Sequence, residues 1–127
     1  MKCDNWFMIK SFLDLDVYKD SFQLSLEMEE VVRTYPKNEE YLLVDQSKRA
    51  SRAIPALIAE GYGKRETPPA FKKSLRDAVG ESNEMINHLA LAKVKGYIDP
   101  KRADELIDRY HILGKKLTRL KETWKKF

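Results

Sequence analysis

The chain is short of the residues that most catalytic and secreted scaffolds rely on. In 127 residues there is one cysteine, Cys3, with two histidines, five glycines and five prolines. One cysteine cannot form an internal disulfide, which removes the framework that holds small secreted domains together. Cys3 has no histidine near it in sequence, so it is not expected to act as a nucleophile. Di-iron bundles use paired Glu-x-x-His motifs with further carboxylates. Here Asp108-x-x-His111 occurs once, and Glu84 and His88 are four apart, the wrong offset. His88 and His111 therefore read as ordinary bundle residues, and no catalytic residue, metal or cofactor is expected. The scarcity of glycine and proline argues against a chain of turns and short strands. No apolar run approaches the roughly 20 residues of a membrane span. The start, MKCDNWFMIKSF, has no small-residue cleavage site. A cytoplasmic location with no membrane association is the expectation.

What the chain has in quantity is charge and apolar periodicity. Hydrophobic residues make up 43% and charged residues 35%, which suits one globular domain over 1–127. The net charge of +4 is unevenly spread. Residues 1–36 hold four cations against seven anions, and residues 100–127 hold nine against four. An acidic first quarter and a basic last quarter favour self-association or an anionic partner.

Breaks divide the chain into four helical segments, predicted at about 14–35, 38–60, 68–95 and 100–125, after an N-terminal arm of 1–13. Pro36 stops the first, because proline disfavours helical geometry at the residue before it. Val17, Leu24, Val31 and Tyr18, Met28, Tyr35 supply its apolar stripe, with Glu27, Glu29 and Glu30 expected on its solvent side. Asn38 is a candidate cap for the second, followed by Glu39 and Glu40 in the first turn. Gly61 and Gly63 would allow a left-handed exit. Thr67, Pro68 and Pro69 open the third helix, and Asp99-Pro100 the fourth. Trp6 to Ile9 is the only stretch with any strand alternation. In the fourth segment Ala103, Leu106, Tyr110, Leu113, Leu117, Leu120 and Trp124 alternate spacings of three and four, a seam that requires partner helices. The fold class implied is all-α, an up-down four-helix bundle.

Within the second segment, Gln46, Arg49, Ala53, Leu57 and Glu60 fall within roughly 80° of arc on one helix face. Arg49 and Glu60 are some 16 Å apart along the axis and cannot pair with each other. Each needs a partner elsewhere, and Glu84 on the third helix is the candidate for Arg49. Gln46, Arg49, Glu60 and Glu84 thus form an expected structural polar network. Pro55 lies inside this helix at a typical cost of about 3 kcal/mol, which close packing around Ala50, Ala53, Ala56 and Ala59 could offset.

Several quoted blocks fall in one order: Phe12-Leu13-Asp14-Leu15-Asp16-Val17-Tyr18, Tyr35-Pro36-x-x-Glu39-x-Tyr41, Gln46-x-x-Arg49-Ala50, Ile54-Pro55-x-x-Ile58-Ala59-Glu60-Gly61 and Ala78-x-Gly80-x-x-x-Glu84-Met85. Together they resemble the four-helix-bundle family of 23S rRNA intervening-sequence proteins. The resemblance implies a left-handed bundle assembling into a barrel-shaped homopentamer. It also implies kinship with the accessory protein of diversity-generating retroelements, a basic pentamer that works with nucleic acid and a reverse transcriptase. It implies no enzymatic activity. The chain departs from the pattern at Tyr18, where tryptophan is usual, at Ala53 and Leu57, where serine and asparagine are usual, and at Glu81, where a serine follows the glycine.

The candidate contacts for RNA or DNA are Lys48, Arg49 and Arg52 on the second helix, Lys64 and Arg65 on the next turn, Lys72 and Lys73 on the third, and Lys115, Lys116 and Arg119 on the fourth. Arg76, Lys121, Lys125 and Lys126 add to the basic count. The turn Gly61 to Thr67 lacks the spacing and preceding strand of a phosphate-binding loop and reads as an interhelix turn with a basic tip. With no base-reading signature evident, binding would be salt-sensitive and weakly sequence-selective. The alternative is a scaffold or adaptor whose basic surface meets an acidic protein partner, with no nucleic-acid role.

Overall fold

A computed structural model describes residues 9–125. Cys3, most of the Trp6 to Ile9 stretch and Lys126 lie outside the described residues. Four helices make up the body: α1 (Asp16–Val31), α2 (Leu43–Tyr62), α3 (Pro68–Val94) and α4 (Pro100–Thr123). Single 3-10 turns occupy Phe12–Asp14, Val32–Thr34 and Lys37–Glu39, and there is no strand among the described residues. No described helix is long and apolar enough to cross a membrane.

The ends of the helices follow from local chemistry. Ser11 and Asp14 form a reciprocal capping box around the first 3-10 turn, and Leu15 then links it to α1 in extended conformation. Tyr35 is extended ahead of Pro36, as the proline requires. Asp99 caps α4 by accepting from the Arg102 N–H at 3.2 Å, with Pro100 at the first helical position.

The start of α2 departs from the expected one. Asn38 is not its cap; it sits exposed in the Lys37–Glu39 turn, and the helix begins at Leu43. Glu39 explains the delay. Its carboxylate is turned inward, accepting from the Leu43 N–H at 3.4 Å and from the Tyr97 hydroxyl at 2.8 Å. Tyr97 stacks obliquely on buried Tyr35, so one carboxylate ties the α1–α2 connection to the α3–α4 connection.

The exit of α2 also differs. Gly63 has φ −63, and the one positive-φ residue among those described is Gly96. Gly61 serves close packing instead: a Cβ there would fall 2.5 Å from the Ser74 Cβ and 3.0 Å from the Phe71 Cδ1. Removing the side chain brings the end of α2 onto the start of α3. Around this contact Phe71 meets Trp124 edge-on at 4.8 Å, and Tyr62 closes the cluster at 6.2 Å from Phe71.

The α4 seam is buried along its whole length, from Ala103 to Trp124. It meets Phe71, Leu75, Ala78, Met85 and Leu89 of α3, with Leu24 and Met28 of α1 and Ile54 and Ile58 of α2 completing the core. Pro55 lies on the buried face of α2 beside Ser51, Ile54 and Ile58.

The acidic residues of α1 are not all on its solvent side, contrary to expectation. Glu27 is largely covered and accepts three charged hydrogen bonds from α4: Arg109 Nη2 donates to its Oε2 at 2.6 Å and Nη1 to Oε1 at 2.8 Å, while Arg102 Nη2 donates to Oε1 at 2.9 Å. Arg109 first, then Arg102, hold the Glu27 carboxyl down at about 2, against an ordinary 4.5. Nearby, Lys116 donates to Asp20 at 2.9 Å.

Three outcomes follow for stability. Gly61→Ala forces Ser74 and Phe71 apart and lowers unfolding free energy by about 1–3 kcal/mol in urea melts. Gly80→Ala, where an added Cβ meets nothing within 4 Å, raises it by up to about 1 kcal/mol. Because the folded chain holds Glu27 ionised where the unfolded chain protonates it, its contribution is present above pH 4.5 and disappears as pH falls toward 2. Glu27→Gln therefore costs on the order of 2 kcal/mol at neutral pH, and the difference from wild type closes in acid melts.

Candidate nucleic-acid interface

Helix packing sorts the cations into those held by carboxylates and those left facing outward. On α2, Arg52 donates from Nε and Nη2 to Glu29 Oε2 at 3.0 and 2.8 Å. Arg49 pairs with Asp45, one turn back, at 3.0 Å. Lys48 lies close enough to Glu29 to join Arg52 in holding that carboxyl below its usual range, with Arg52 the larger influence. On the following turn, Lys64 is 3.9 Å from Glu60, and Arg65 donates to the Tyr62 carbonyl at 3.1 Å with its guanidinium 4.2 Å above the Tyr62 ring. Exposed pairs of this kind contribute little stability, but they mask the charge a distant polyanion would feel. Lys116, expected to face a ligand, instead closes α1 against α4 through Asp20.

Within one chain, Gln46, Arg49, Glu60 and Glu84 do not meet. Gln46, Arg49 and Glu60 are exposed, and Ala53 and Leu57 between them are half-buried. Arg49 does not reach Glu84, which sits 3.3 Å from the Nε2 of buried His88. A carboxylate one turn away on the same helix meets the guanidinium with no need to order a long side chain across a groove. Glu81, the departure from the family pattern, has its carboxyl pushed up by burial and then by neighbouring Glu84. Asp77, Glu81 and Glu84 form an acidic row on α3.

A further group of cations converges between α3 and α4. The start of α3 lies beside the end of α4, so Lys72, Lys73 and Arg76 share a recess of about 560 Å³ with Lys121 and Glu122. A second recess of about 370 Å³ adjoins it through Glu122 and is lined by Asn83 of α3 and by Lys115, Thr118 and Arg119 of α4. Lys72, Arg76, Lys115 and Lys121 make no ion pair among the described residues. Lys73 is partly neutralised by Asp77 at 3.0 Å. The result is an open basic groove with both lips charged and Glu122 as its one acidic lining residue.

Of the ten cations singled out in the sequence, the groove thus gathers Lys72, Lys73, Lys115 and Arg119. Lys48, Arg49, Arg52, Lys64 and Arg65 lie elsewhere, and Lys116 faces α1. Arg76 and Lys121 line the groove without having been among those ten. Their signal was in the spacing: Arg76 is one turn beyond Lys72, and Lys121 follows Leu117 and Leu120 on the flank of the buried seam. Among the described residues no three histidine, cysteine or acidic side chains gather as metal ligands would.

Comparison with known proteins bears on this geometry. No match emerges among curated proteins. A family model, that of the 23S rRNA-intervening sequence protein, matches residues 13–119, which takes in α1 to α3 whole, most of α4 and most of the basic groove. With that match spanning most of its length, the chain belongs to the 23S rRNA-intervening sequence protein family.

Proposed function

We propose that this protein is a non-enzymatic, oligomeric accessory factor of the cytoplasm that binds nucleic acid through the groove between α3 and α4. The observation that carries the reading is the convergence of Lys72, Arg76, Lys115 and Lys121 on one face with no carboxylate partner among the described residues. Cations left unpaired beside a concave surface attract phosphate through counterion release, and the attraction needs no base contacts.

In this proposal the four helices form an up-down, left-handed bundle, and the bundles close into a barrel-shaped homopentamer. Each chain carries +4, so a ring of five would present about +20 and repeat the groove around one axis. Repetition matters because a single groove with a handful of cations binds weakly at physiological salt. The acidic row on α3 and the basic groove give each copy two faces of opposite sign, which suits head-to-tail contacts between neighbours.

Fluorescence anisotropy with RNA and DNA over a salt titration tests the reading. Reversing the groove with Arg76→Glu, Lys115→Glu and Lys121→Glu is expected to lower affinity at least about tenfold, with a shallower salt dependence. Reversing α2 with Lys48→Glu and Arg49→Glu is expected to change it less than about threefold. A groove variant that binds like wild type overturns the assignment. Light scattering is expected to give five times the mass of one chain, and a monomer removes the ring. The rival role as a scaffold for an acidic protein requires that polyglutamate be bound and both nucleic acids ignored.

A further inference from the structure

The groove carries charge on its lips and almost nothing flat on its floor. Its lining between the cations is Val79, Asn83, Gly114 and Thr118, all small or short, together with Tyr110, whose ring offers no exposed face. The aromatic rings nearest to it are turned into the core: Tyr110 and Phe71 are 0% exposed, and Trp124 is 5% exposed. The two exposed aromatic side chains among the described residues, Phe22 and Tyr41, sit on α1 and on the connection before α2, away from α3 and α4. His111 touches the second recess, but it is one ring at one position.

Single strands are usually held by aromatic platforms, each stacked base contributing about 1–3 kcal/mol, which offsets the cost of ordering a flexible chain. A groove without such a platform has only phosphate contacts to offer. Phosphate contacts favour the ligand with the higher and better-ordered charge density. A duplex carries one charge per roughly 1.7 Å of its axis, twice that of one strand, and its backbone is already ordered.

Resting on the groove reading above, we propose that the ligand class is double-stranded nucleic acid, RNA or DNA, held by the backbone and without sequence selection. One strand of the duplex lies along the groove. Lys72, Arg76 and Lys121 contact phosphates at one end, and Lys115 and Arg119 contact them at the other. Successive cations one helical turn apart rise about 6 Å, which lets neighbouring side chains of one lip take different phosphates. The floor offers only Asn83 and Thr118 to base edges, so the specificity lies mainly in the form of the ligand.

The test compares a short duplex with its two separated strands, as RNA and as DNA, in direct anisotropy titrations and in competition. The duplex is expected to bind at least about fivefold tighter than either strand in both chemistries, with a steeper salt slope. Asn83→Trp, which sets an indole on the exposed floor, is expected to raise single-strand affinity several-fold and to narrow the gap. Strands that bind as well as the duplex overturn the inference while leaving the groove assignment standing. An unchanged preference in the Asn83→Trp protein overturns the stacking explanation for it. Loss of all binding to duplex and strands alike overturns the groove assignment itself.

Discussion

The contact between Glu27 of α1 and the paired guanidinium groups of Arg102 and Arg109 on α4 decides how the rest of the charge is distributed. The first helix is acidic and the fourth is basic, so when α1 docks, the cations on one flank of α4 are neutralised. Glu27 takes Arg109 and Arg102, and Asp20 takes Lys116. The opposite flank of α4 faces α3, where Lys72 and Arg76 add charge of the same sign. One docking event therefore closes the bundle on one side and leaves a positively charged groove on the other. The same contact makes the fold acid-sensitive below the ordinary range of carboxylates, because protonating Glu27 leaves two guanidinium groups partly covered without their acceptor.

Much of the architecture was legible in the sequence because it rests on period and punctuation. The α4 seam, the Asp99-Pro100 start and the Tyr35-Pro36 stop each depend on neighbours close in sequence, and each lies where those signals put it. The features that differed depend on residues distant in sequence. Asn38 looked like a cap, but Glu39 is held inward by Tyr97, 58 positions later, and α2 starts beyond it. Gly61 looked like a turn residue, but it is where Ser74 of α3 approaches the backbone of α2. Neither contact leaves a local trace.

The basic site was legible only as a count. Sequence shows how many cations a segment has; it does not show which of them carboxylates on another helix will take. Arg52 and Lys116 looked equivalent to Lys72 and Lys115 until Glu29 and Asp20 were placed beside the first two. Arg76 and Lys121 gained weight for the converse reason, since the start of α3 and the end of α4 lie side by side. The polar face of α2 shows the same effect. Arg49 satisfied itself with Asp45 on its own helix, so the anticipated bridge to Glu84 was never needed.

Selective masking of lysines by packing is the centre of this account, and lysine reactivity reads it residue by residue. Acetylation of the native protein, followed by mass spectrometry with and without bound nucleic acid, compares each position directly. Lys72, Lys115 and Lys121 are expected to react readily in the free protein and to be protected in the complex, while Lys48 and Lys64 change little. Protection centred on Lys48 and Lys64, with the three groove lysines still reactive, would contradict it.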